Sequence, residues 1–372
     1  MTVHSPPTPM ADTDPVTFEE LACAHGLRIG LITLNRPRQL NALNLAMCER
    51  MLAMLRTWAS DTGLALVVLQ GAGDRGFCAG GDVAEVVRQV RAGGERRFVY
   101  GDAFFEVEYQ LDQLLHTFPK PILAWIHGVC MGGGVGLVAG CSHRVISENA
   151  RVAMPEIHIG LFPDVGGGWF LNRVPGGIGR VMALTGLVLN EADTLFAGLA
   201  DFFIAAEARE AVLAEILAQP WRGQAGPDGQ RLTELLLAWH RRHRAGLPMN
   251  HLQQYFDALR FVAMQPTLVG MRDALATAAE DDPWFAAPAR SLAECSPTAA
   301  WVSDAYLRRA RQRSLPEVLA LDLVLARQFQ RHPDFPEGVR ALLIDKDRQP
   351  RWSLTDLGDV PAEVVEAHFR AP

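Results

Sequence analysis

The sequence has little lysine and no paired cysteines, and both shortages narrow what the protein can be. Only two of its 35 basic residues are lysines, Lys120 and Lys346. This bias is typical of a GC-rich genome and favours a bacterial cytosol. The six cysteines form no C-x-x-C pair and do not cluster with histidines. They are therefore predicted to be small buried apolar residues rather than disulfide partners or metal ligands.

Other absences exclude whole classes of partner. The formal net charge is −7 without a long basic stretch, so the chain lacks the electrostatic footprint of a nucleic-acid-binding protein. No apolar run approaches the roughly 18 residues of a membrane span. The opening MTVHSPPTPMADTDPV has neither the basic nor the apolar region of a secretory signal. We therefore predict a cytoplasmic protein that binds neither nucleic acid nor membrane.

The chain of 372 residues is long enough to bury a large core. The proline-rich residues 1–15 predict a disordered arm. Residues 16–205 alternate helical patterns with short strand-like runs, which predicts an α/β core with buried strands. Residues 206–372 show helical periodicity almost throughout and predict a helical C-terminal region packed on that core; residues 223–230 predict a surface loop. The predicted strands are Leu27–Leu34, Leu64–Gln70, Ile122–Ile126, Arg144–Ser147 and Arg151–Ala153.

Three glycine-rich segments follow or precede these elements, at residues 77–82, 132–136 and 163–168. Glycines at strand-to-helix turns leave backbone N–H groups free, and two such turns facing each other could stabilise an oxyanion. The simpler alternative is that the glycines only allow tight turns and close packing. The segments match neither a dinucleotide fingerprint nor a Walker loop.

Two carboxylates lie near the second and third segments. Glu156 follows Pro155 among apolar residues, where burial would raise its pKa and suit it to act as a base or nucleophile. A solvent-facing loop glutamate is the competing interpretation, and Asp164 lies eight residues further on. His158 is read as structural or exposed, because no serine or cysteine occupies a nucleophile elbow. Glu108 lies on an amphipathic helical pattern, and nothing in the pattern distinguishes it from a solvated residue.

At these segments the chain resembles the crotonase superfamily. The resemblance implies a crotonase-like spiral of ββα units that binds a coenzyme A thioester. It also implies an oxyanion hole formed by the N–H groups of Gly81 and Gly133, and an adenine pocket at the backbone of Ala42 and Ala79. The matching motifs are Asn35-Arg36-Pro37, Asn41-Ala42-Leu43, Phe77-Cys78-Ala79-Gly80-Gly81-Asp82, His127-Gly128 and Gly132-Gly133-Gly134.

Within that superfamily the chain resembles the 3-hydroxyisobutyryl-CoA hydrolases, through residues 104–109, 131–136, 154–168 and 334–352. This resemblance implies hydrolysis of a short 3-hydroxyacyl-CoA thioester, with a place in valine breakdown. Glu156 would attack the thioester or activate water, Asp164 would hold the 3-hydroxyl group, and Glu108 would be a further polar contact. Coenzyme A enters as part of the substrate, no other cofactor or metal is implied, and a homo-oligomer stays open. Residues 299–301 are Ala-Ala-Trp, where this branch usually has Ser-Leu-Lys.

One position separates the hydrolases from the hydratases of the same superfamily. Enoyl-CoA hydratases use two glutamates, one matching Glu156 and one on the helix that follows the glycine triplet. Gly136 occupies that second position here. Thioester hydrolysis can proceed with one carboxylate and an oxyanion hole, so hydrolysis is favoured over hydration. An enoyl-CoA hydratase or isomerase is the first alternative, and a non-catalytic CoA-binding protein is the second.

Overall fold

The computed structural model describes residues 14–372. The disordered arm predicted for residues 1–15 falls almost wholly outside this range. Residues 16–205 contain two sheets, a six-stranded sheet in the order β1-β2-β3-β5-β7-β9 and a three-stranded sheet in the order β4-β6-β8. The strands are β1 (Val16–Ala22), β2 (Arg28–Leu34), β3 (Leu64–Gly71), β4 (Gly76–Cys78), β5 (Ile122–Ile126), β6 (Val129–Met131), β7 (His143–Ile146), β8 (Arg151–Ala153) and β9 (Phe202–Phe203).

The order of the strands forms a spiral. Only the β1–β2 pair is antiparallel among the named strand pairs of the described chain, and the others are parallel. Each of β3, β5 and β7 in the large sheet is followed directly by β4, β6 or β8 in the small one. Helices follow each of the first two pairs, so the two sheets wind round a shared core. This is the predicted crotonase-like α/β spiral.

The core lies on both faces of the large sheet, as the apolar strands require. Successive side chains of a strand point to opposite faces. Leu66 and Val68 accordingly pack in one apolar cluster, and Val67 and Leu69 pack in the other. A strand that is buried on both faces reads as a continuous apolar run, which is why the pattern of β3 predicted it.

Helices make up most of the remaining chain. Seven of them, α1 to α7, lie among the strands, and from residue 206 to the end the described residues form helices and connecting loops. The division predicted at residue 206 lies close to the end of β9, and the domain boundary itself stays a prediction. The helices are α1 (Leu45–Ser60), α2 (Val83–Ala92), α3 (Val99–His116), α4 (Gly133–Ala139), α5 (Gly167–Phe170), α6 (Gly179–Thr185), α7 (Glu191–Phe196), α8 (Arg209–Ala218), α9 (Ala225–His243), α10 (His251–Gln254), α11 (Phe256–Ala263), α12 (Leu268–Asp281), α13 (Ala286–Glu294), α14 (Pro297–Ala310), α15 (Leu315–Phe329), α16 (Asp334–Val339) and α17 (Ala362–His368).

Two features of the fold differ from the sequence-based expectation. The loop predicted at residues 223–230 is wrong, because α9 begins at Ala225. Pro227 lies in the first turn, where a missing N–H removes no helical hydrogen bond. The buried Asp228 carboxylate accepts hydrogen bonds from the N–H groups of Arg222 and Gln224, both at 2.9 Å, and this fixes the start of the helix. Strands β1, β4, β6 and β9 were not predicted, and the last three have only two or three residues, too few to show alternation.

Candidate active site

A cavity of about 380 Å³ lies where the glycine-rich turns of the spiral meet α3 and the C-terminal region. Its walls are largely apolar, and three carboxylates face it from different elements. Such a pocket, with a few polar groups converging in apolar surroundings, is the usual form of a small-molecule site. The lining residues include Ala79, Gly81, Phe105, Glu108, Met131, Gly133, Glu156, His158, Leu161, Asp164, Leu342 and Leu343.

Two backbone amides converge on one side of the cavity. Gly81 follows β4 and Gly133 is the first residue of α4, so the N–H of Gly133 has no partner within its own helix. Within the described chain, neither N–H donates a hydrogen bond. The two turns are in contact, since a Cβ placed on Gly133 would lie 3.3 Å from the nitrogen of Gly81. The structure thus brings together the two residues that the resemblance implies for the oxyanion hole.

Glu108 on α3 lies directly against these amides. Its side chain is buried, and its Oε1 atom has no hydrogen-bond partner among residues 14–372. A Cβ placed on Gly133 would lie 2.5 Å from that oxygen, so a side chain at this position would displace the Glu108 carboxyl group. Burial raises the pKa of Glu108 well above its usual range, and the nearby charges of Asp164, Asp112 and Glu156 raise it further. The helical pattern alone had not selected this residue, and only the family motif indicated it.

Glu156 faces the same glycine turns from a different segment of the chain. It follows β8, begins a short 3-10 helix at Glu156–Ile159, and is buried. Its Oε1 atom lies 2.6 Å from where a Cβ on Gly132 would be, and its Oε2 atom has no hydrogen-bond partner in the described chain. Burial raises the pKa of Glu156 well above 4.5, and the charge of Asp164 adds to the shift. The interpretation of Glu156 as a solvent-facing glutamate is therefore wrong, and its apolar neighbours were the correct signal.

Asp164 is the third carboxylate and the only one of the three with a side-chain partner. The hydroxyl of Tyr109 donates a hydrogen bond to Asp164 Oδ2 at 2.6 Å, and both side chains are buried. Burial raises the pKa of Asp164 to about 6, and the hydrogen bond from Tyr109 opposes that rise. Tyr109 was not singled out in the sequence as a functional residue. Its position next to Glu108 on α3 was the available signal.

The turn that carries Asp164 explains the glycine at position 136. Val165 has a φ of 51°, which a β-branched residue rarely adopts. A Cβ placed on Gly136 would lie 2.6 Å from Val165 Cβ and 3.2 Å from Asp112 Oδ1. Position 136 therefore lacks a side chain because the Asp164 turn occupies the space, and a glutamate there would collide with it.

Of the two residues implied for the adenine pocket, one lines the cavity and the other does not. Ala79 lines the cavity, and its N–H donates to the carbonyl of Leu40 at 2.9 Å. Ala42 is not among the lining residues, and its carbonyl accepts a hydrogen bond from Arg36 at 2.7 Å. The structure thus brings Ala79, but not Ala42, to the cavity wall.

His158 lines the cavity without a partner that would make it a strong base. Burial lowers the pKa of its ring, which favours the neutral imidazole. The hydroxyl of Ser291 lies 3.5 Å from the ring nitrogens, at the limit of a hydrogen bond. This placement agrees with the interpretation of His158 as a structural residue.

The C-terminal region supports the Glu156 segment and borders the cavity. The carboxylate of Asp334 accepts hydrogen bonds from Ser296 Oγ at 2.5 Å and from the N–H of Ser353 at 2.8 Å. The carbonyl of Asp334 lies 2.7 Å from where a Cβ on Gly160 would be. Beyond α16, one turn of π-helix at Arg340–Ile344 places the partly exposed Leu342 and Leu343 on the cavity wall.

Solved structures with the same overall fold include two of similar length. An enoyl-CoA hydratase from Rhodobacter sphaeroides 2.4.1 is 34% identical, with a TM-score of 0.82 over 96% of this chain and 98% of that one. A carnitinyl-CoA dehydratase from Mycobacterium thermoresistibile is 31% identical, with a TM-score of 0.84 and 97% of both chains covered. The fold is therefore the crotonase fold along nearly the whole chain.

Curated relatives match over a similar length. The mitochondrial 3-hydroxyisobutyryl-CoA hydrolase of Rattus norvegicus is 34% identical over 361 residues, which cover 97% of this chain and 90% of the relative. The human protein of the same name is 34% identical over 358 residues, which cover 96% of this chain and 88% of the relative. The prediction of a cytoplasmic location is contradicted by these mitochondrial relatives and is wrong. Neither a low lysine content nor the lack of a secretory signal reports on the compartment.

Residues 29–369 match the model of the family described as enoyl-CoA hydratase/isomerase. In the part of the chain that the structure describes, no helix is both long and apolar enough to cross a bilayer. The match covers the spiral, the three glycine-rich segments and the helical C-terminal region together. The chain therefore belongs to the enoyl-CoA hydratase/isomerase family, the crotonase superfamily, in the branch of the 3-hydroxyisobutyryl-CoA hydrolases.

Proposed function

We propose that the chain hydrolyses 3-hydroxyisobutyryl-CoA to 3-hydroxyisobutyrate and coenzyme A. One observation carries the proposal: the Glu156 carboxyl group has an unpartnered oxygen and faces the turns that bear two free amides, inside an apolar cavity. Relatives that bear the name of this hydrolase, at 34% identity over nearly the whole chain, support the same substrate.

The reaction uses the two sides of the cavity together. The thioester carbonyl oxygen accepts hydrogen bonds from the N–H groups of Gly81 and Gly133, which stabilise the negative charge that develops there. The Glu156 carboxylate either attacks the carbonyl carbon or removes a proton from a water that attacks it. The carbon–sulfur bond then breaks, and its electron pair leaves with the sulfur of coenzyme A, which takes up a proton. In the first route, water hydrolyses the resulting anhydride and restores Glu156.

Asp164 and Glu108 serve the acyl group of the substrate. Asp164 is held by Tyr109 and lines the cavity, so that its free oxygen can accept a hydrogen bond from the 3-hydroxyl group. Glu108 supplies a second polar contact near that hydroxyl. Coenzyme A is part of the substrate and binds along Ala79, with Ala42 on the adjacent segment. No further cofactor or metal takes part in the proposed reaction.

Release of free thiol tests this proposal. Wild-type protein is expected to release coenzyme A from 3-hydroxyisobutyryl-CoA faster than from 3-hydroxypropionyl-CoA or crotonyl-CoA. Glu156→Gln should lower the rate by at least about 10³-fold, since a covalent or general-base group is lost, while coenzyme A still binds. Glu191→Gln is the matched control, because Glu191 is also buried but bonds the N–H of Ala150 away from the cavity. Near-normal turnover by Glu156→Gln would refute the assignment.

The two routes differ in where the water oxygen goes. In a single turnover in ¹⁸O-water, the anhydride route places label in the Glu156 carboxylate when water attacks the carbonyl carbon that Glu156 contributes to the anhydride. The general-base route leaves Glu156 unlabelled. Mass spectrometry of the peptide that contains Glu156 distinguishes the two outcomes.

Hydration of an enoyl-CoA is the second candidate, and one observation favours it. Glu108 provides a second buried glutamate at the cavity, although it comes from α3 and not from position 136. The solved relatives named hydratase and dehydratase show that this fold is compatible with such chemistry. Loss of the enoyl absorbance of crotonyl-CoA without thiol release would establish hydration, whereas thiol release from the 3-hydroxyacyl thioester would establish hydrolysis.

A further inference from the structure

The turn that presents Asp164 to the cavity does not adopt its shape without support. Val165 lies in the left-handed region at φ 51°, and Gly166 follows at φ 80°. A β-branched residue in that region costs about 1–3 kcal/mol, so surrounding contacts must maintain it. The N–H of Gly167 bonds the carbonyl of Asp164 at 2.7 Å, which closes the turn but does not anchor it to the rest of the protein.

The anchors come from the C-terminal helical region. The N–H of Gly166 donates to Asp322 Oδ2 on α15 at 2.8 Å. The N–H of Gly168 donates to the hydroxyl of Tyr306 on α14, also at 2.8 Å. Both Asp322 and Tyr306 are fully buried, at 0% exposure, and neither lines the cavity. Their only direct connection to the site is therefore through the backbone of this turn and the groups packed around it.

Buried polar side chains that hold backbone N–H groups are costly to remove. Each loss would leave a buried N–H without a partner, at about 1–3 kcal/mol, which is comparable with the strain stored at Val165. Without Asp322 or Tyr306, the strained turn is expected to relax and carry the Asp164 carboxylate away from the substrate.

We propose that Asp322 and Tyr306 are positioning residues for Asp164, and that they tie the C-terminal region to recognition of the substrate's 3-hydroxyl group. The inference rests on the proposed function, in which Asp164 binds that hydroxyl. According to this inference, Asp322 and Tyr306 contribute to substrate selectivity as well as to the stability of the fold.

Asp322 has a conservative replacement. Burial raises its pKa well above the usual range, so the neutral form is favoured, and asparagine resembles that form in shape and charge. The ionisable groups that face Asp322 within the described chain are Tyr306, Tyr109, Asp164 and Asp112. Asparagine keeps a carbonyl oxygen that can accept the N–H of Gly166, whereas alanine does not.

The decisive readout is the preference for a hydroxylated substrate. The ratio of kcat/KM for 3-hydroxyisobutyryl-CoA to that for isobutyryl-CoA measures recognition of the hydroxyl. Asp322→Ala and Tyr306→Phe should each lower this ratio about tenfold, the worth of one hydrogen bond to a charged group. Asp322→Asn should retain a ratio within about threefold of wild type. A residue with only a structural role would lower the rates for both substrates and leave their ratio unchanged.

Asp228→Ala is the matched control, because Asp228 is equally buried and also accepts backbone N–H groups, but at the start of α9. It should lower thermal stability without changing the ratio. If Asp322→Ala and Tyr306→Phe also leave the ratio unchanged, the proposal is overturned.

Hydrogen exchange separates a failure of this inference from a failure of the proposed function. Peptides that cover residues 163–170 should exchange faster in Asp322→Ala and Tyr306→Phe than in wild type, at equal global stability. If the wild-type protein hydrolyses no thioester, the proposed function is refuted. Independently of that result, unchanged exchange in these peptides would refute the anchoring of the turn by Asp322 and Tyr306.

Discussion

The two sides of the cavity are built by opposite means. One side consists of backbone, where Gly81 and Gly133 present amides and an added side chain would meet the groups packed against them. The other side consists of carboxylates that are buried at an unfavourable cost in desolvation and held by distant helices. On the backbone side an added side-chain atom would collide with neighbouring groups, whereas on the carboxylate side the activity depends on the charge of the side chains. Substitutions on the two sides should therefore change the activity in different ways.

The largest effect is expected on the backbone side. Gly133→Ala places a methyl group against Glu108 Oε1 and beside the Gly81 nitrogen. The Glu108 carboxyl group must move and the two amides must separate slightly, so thiol release should fall by up to about 10³-fold, as when an oxyanion donor is lost. Gly229→Ala is the control, because its new Cβ would come no nearer than 3.8 Å to the side chain of Pro121. A Gly133→Ala enzyme with wild-type turnover would show that this side accepts a side chain.

A second substitution tests why position 136 is a glycine: because a catalytic glutamate has been lost, or because the Asp164 turn leaves no space for a side chain. Gly136→Glu restores the glutamate that a hydratase has, but its Cβ would collide with Val165. We expect thiol release to fall about 100-fold through displacement of the Asp164 turn, with no gain of hydration. Gly226→Glu makes the same change at an open position and should leave both activities unaltered. Hydration of crotonyl-CoA by Gly136→Glu would contradict the steric explanation.

On the carboxylate side, the dependence on pH is the sharper measurement. In the proposed reaction Glu156 acts as a carboxylate, so kcat should rise as pH rises through its elevated pKa. The charge of Asp164 contributes to that elevation. Asp164→Asn should therefore move the acid limb of the kcat profile to lower pH, while kcat for the hydroxylated substrate falls roughly tenfold with loss of a charged hydrogen bond. An acid limb that stays in place would show that the two groups titrate independently.

The smallest effect concerns stability. Asp112 is buried behind the site, and neither of its carboxylate oxygens has a hydrogen-bond partner among residues 14–372. Burial raises its folded-state pKa well above 3.8, so the neutral form favours folding below the unfolded pKa, and this stability is lost as pH rises through the folded pKa. Asp112→Asn should thus raise Tm by roughly 1–2 °C at pH 8, equivalent to about 1 kcal/mol, and by less at pH 5. Asp273→Asn, at an exposed residue, should show no such pH-dependent gain.

The sequence predicted one side of the cavity better than the other. Glycines between a strand and a helix are a local signal, so the segments at residues 77–82 and 132–136 could be located from their neighbours, whereas Gly81 and Gly133 within them were indicated by the family resemblance. Glu156 was distinguished by Pro155 and the apolar residues around it. Glu108 had no such signal, because its burial depends on the packing of α3 against the spiral and not on its own helical pattern.

Long-range contacts account for what was missed. Asp322 and Tyr306 lie more than a hundred residues beyond the turn that they contact, and no periodicity connects them to it. The strain at Val165 is likewise invisible in sequence, since valine at that position reads as an ordinary apolar residue. Strands were predicted at β3 and β5, which are continuous apolar runs, and were missed at β4 and β6, which have three residues each.

The crowding of Glu108, Glu156 and Asp164 has a consequence for the end of the catalytic cycle. Hydrolysis converts a neutral thioester into an anionic acid inside an apolar cavity that already holds three carboxyl groups. As those groups ionise, like-charge repulsion opposes retention of the acid. The enzyme should therefore be inhibited weakly by 3-hydroxyisobutyrate, and less as the pH rises, so that the reaction proceeds in one direction without tight product capture.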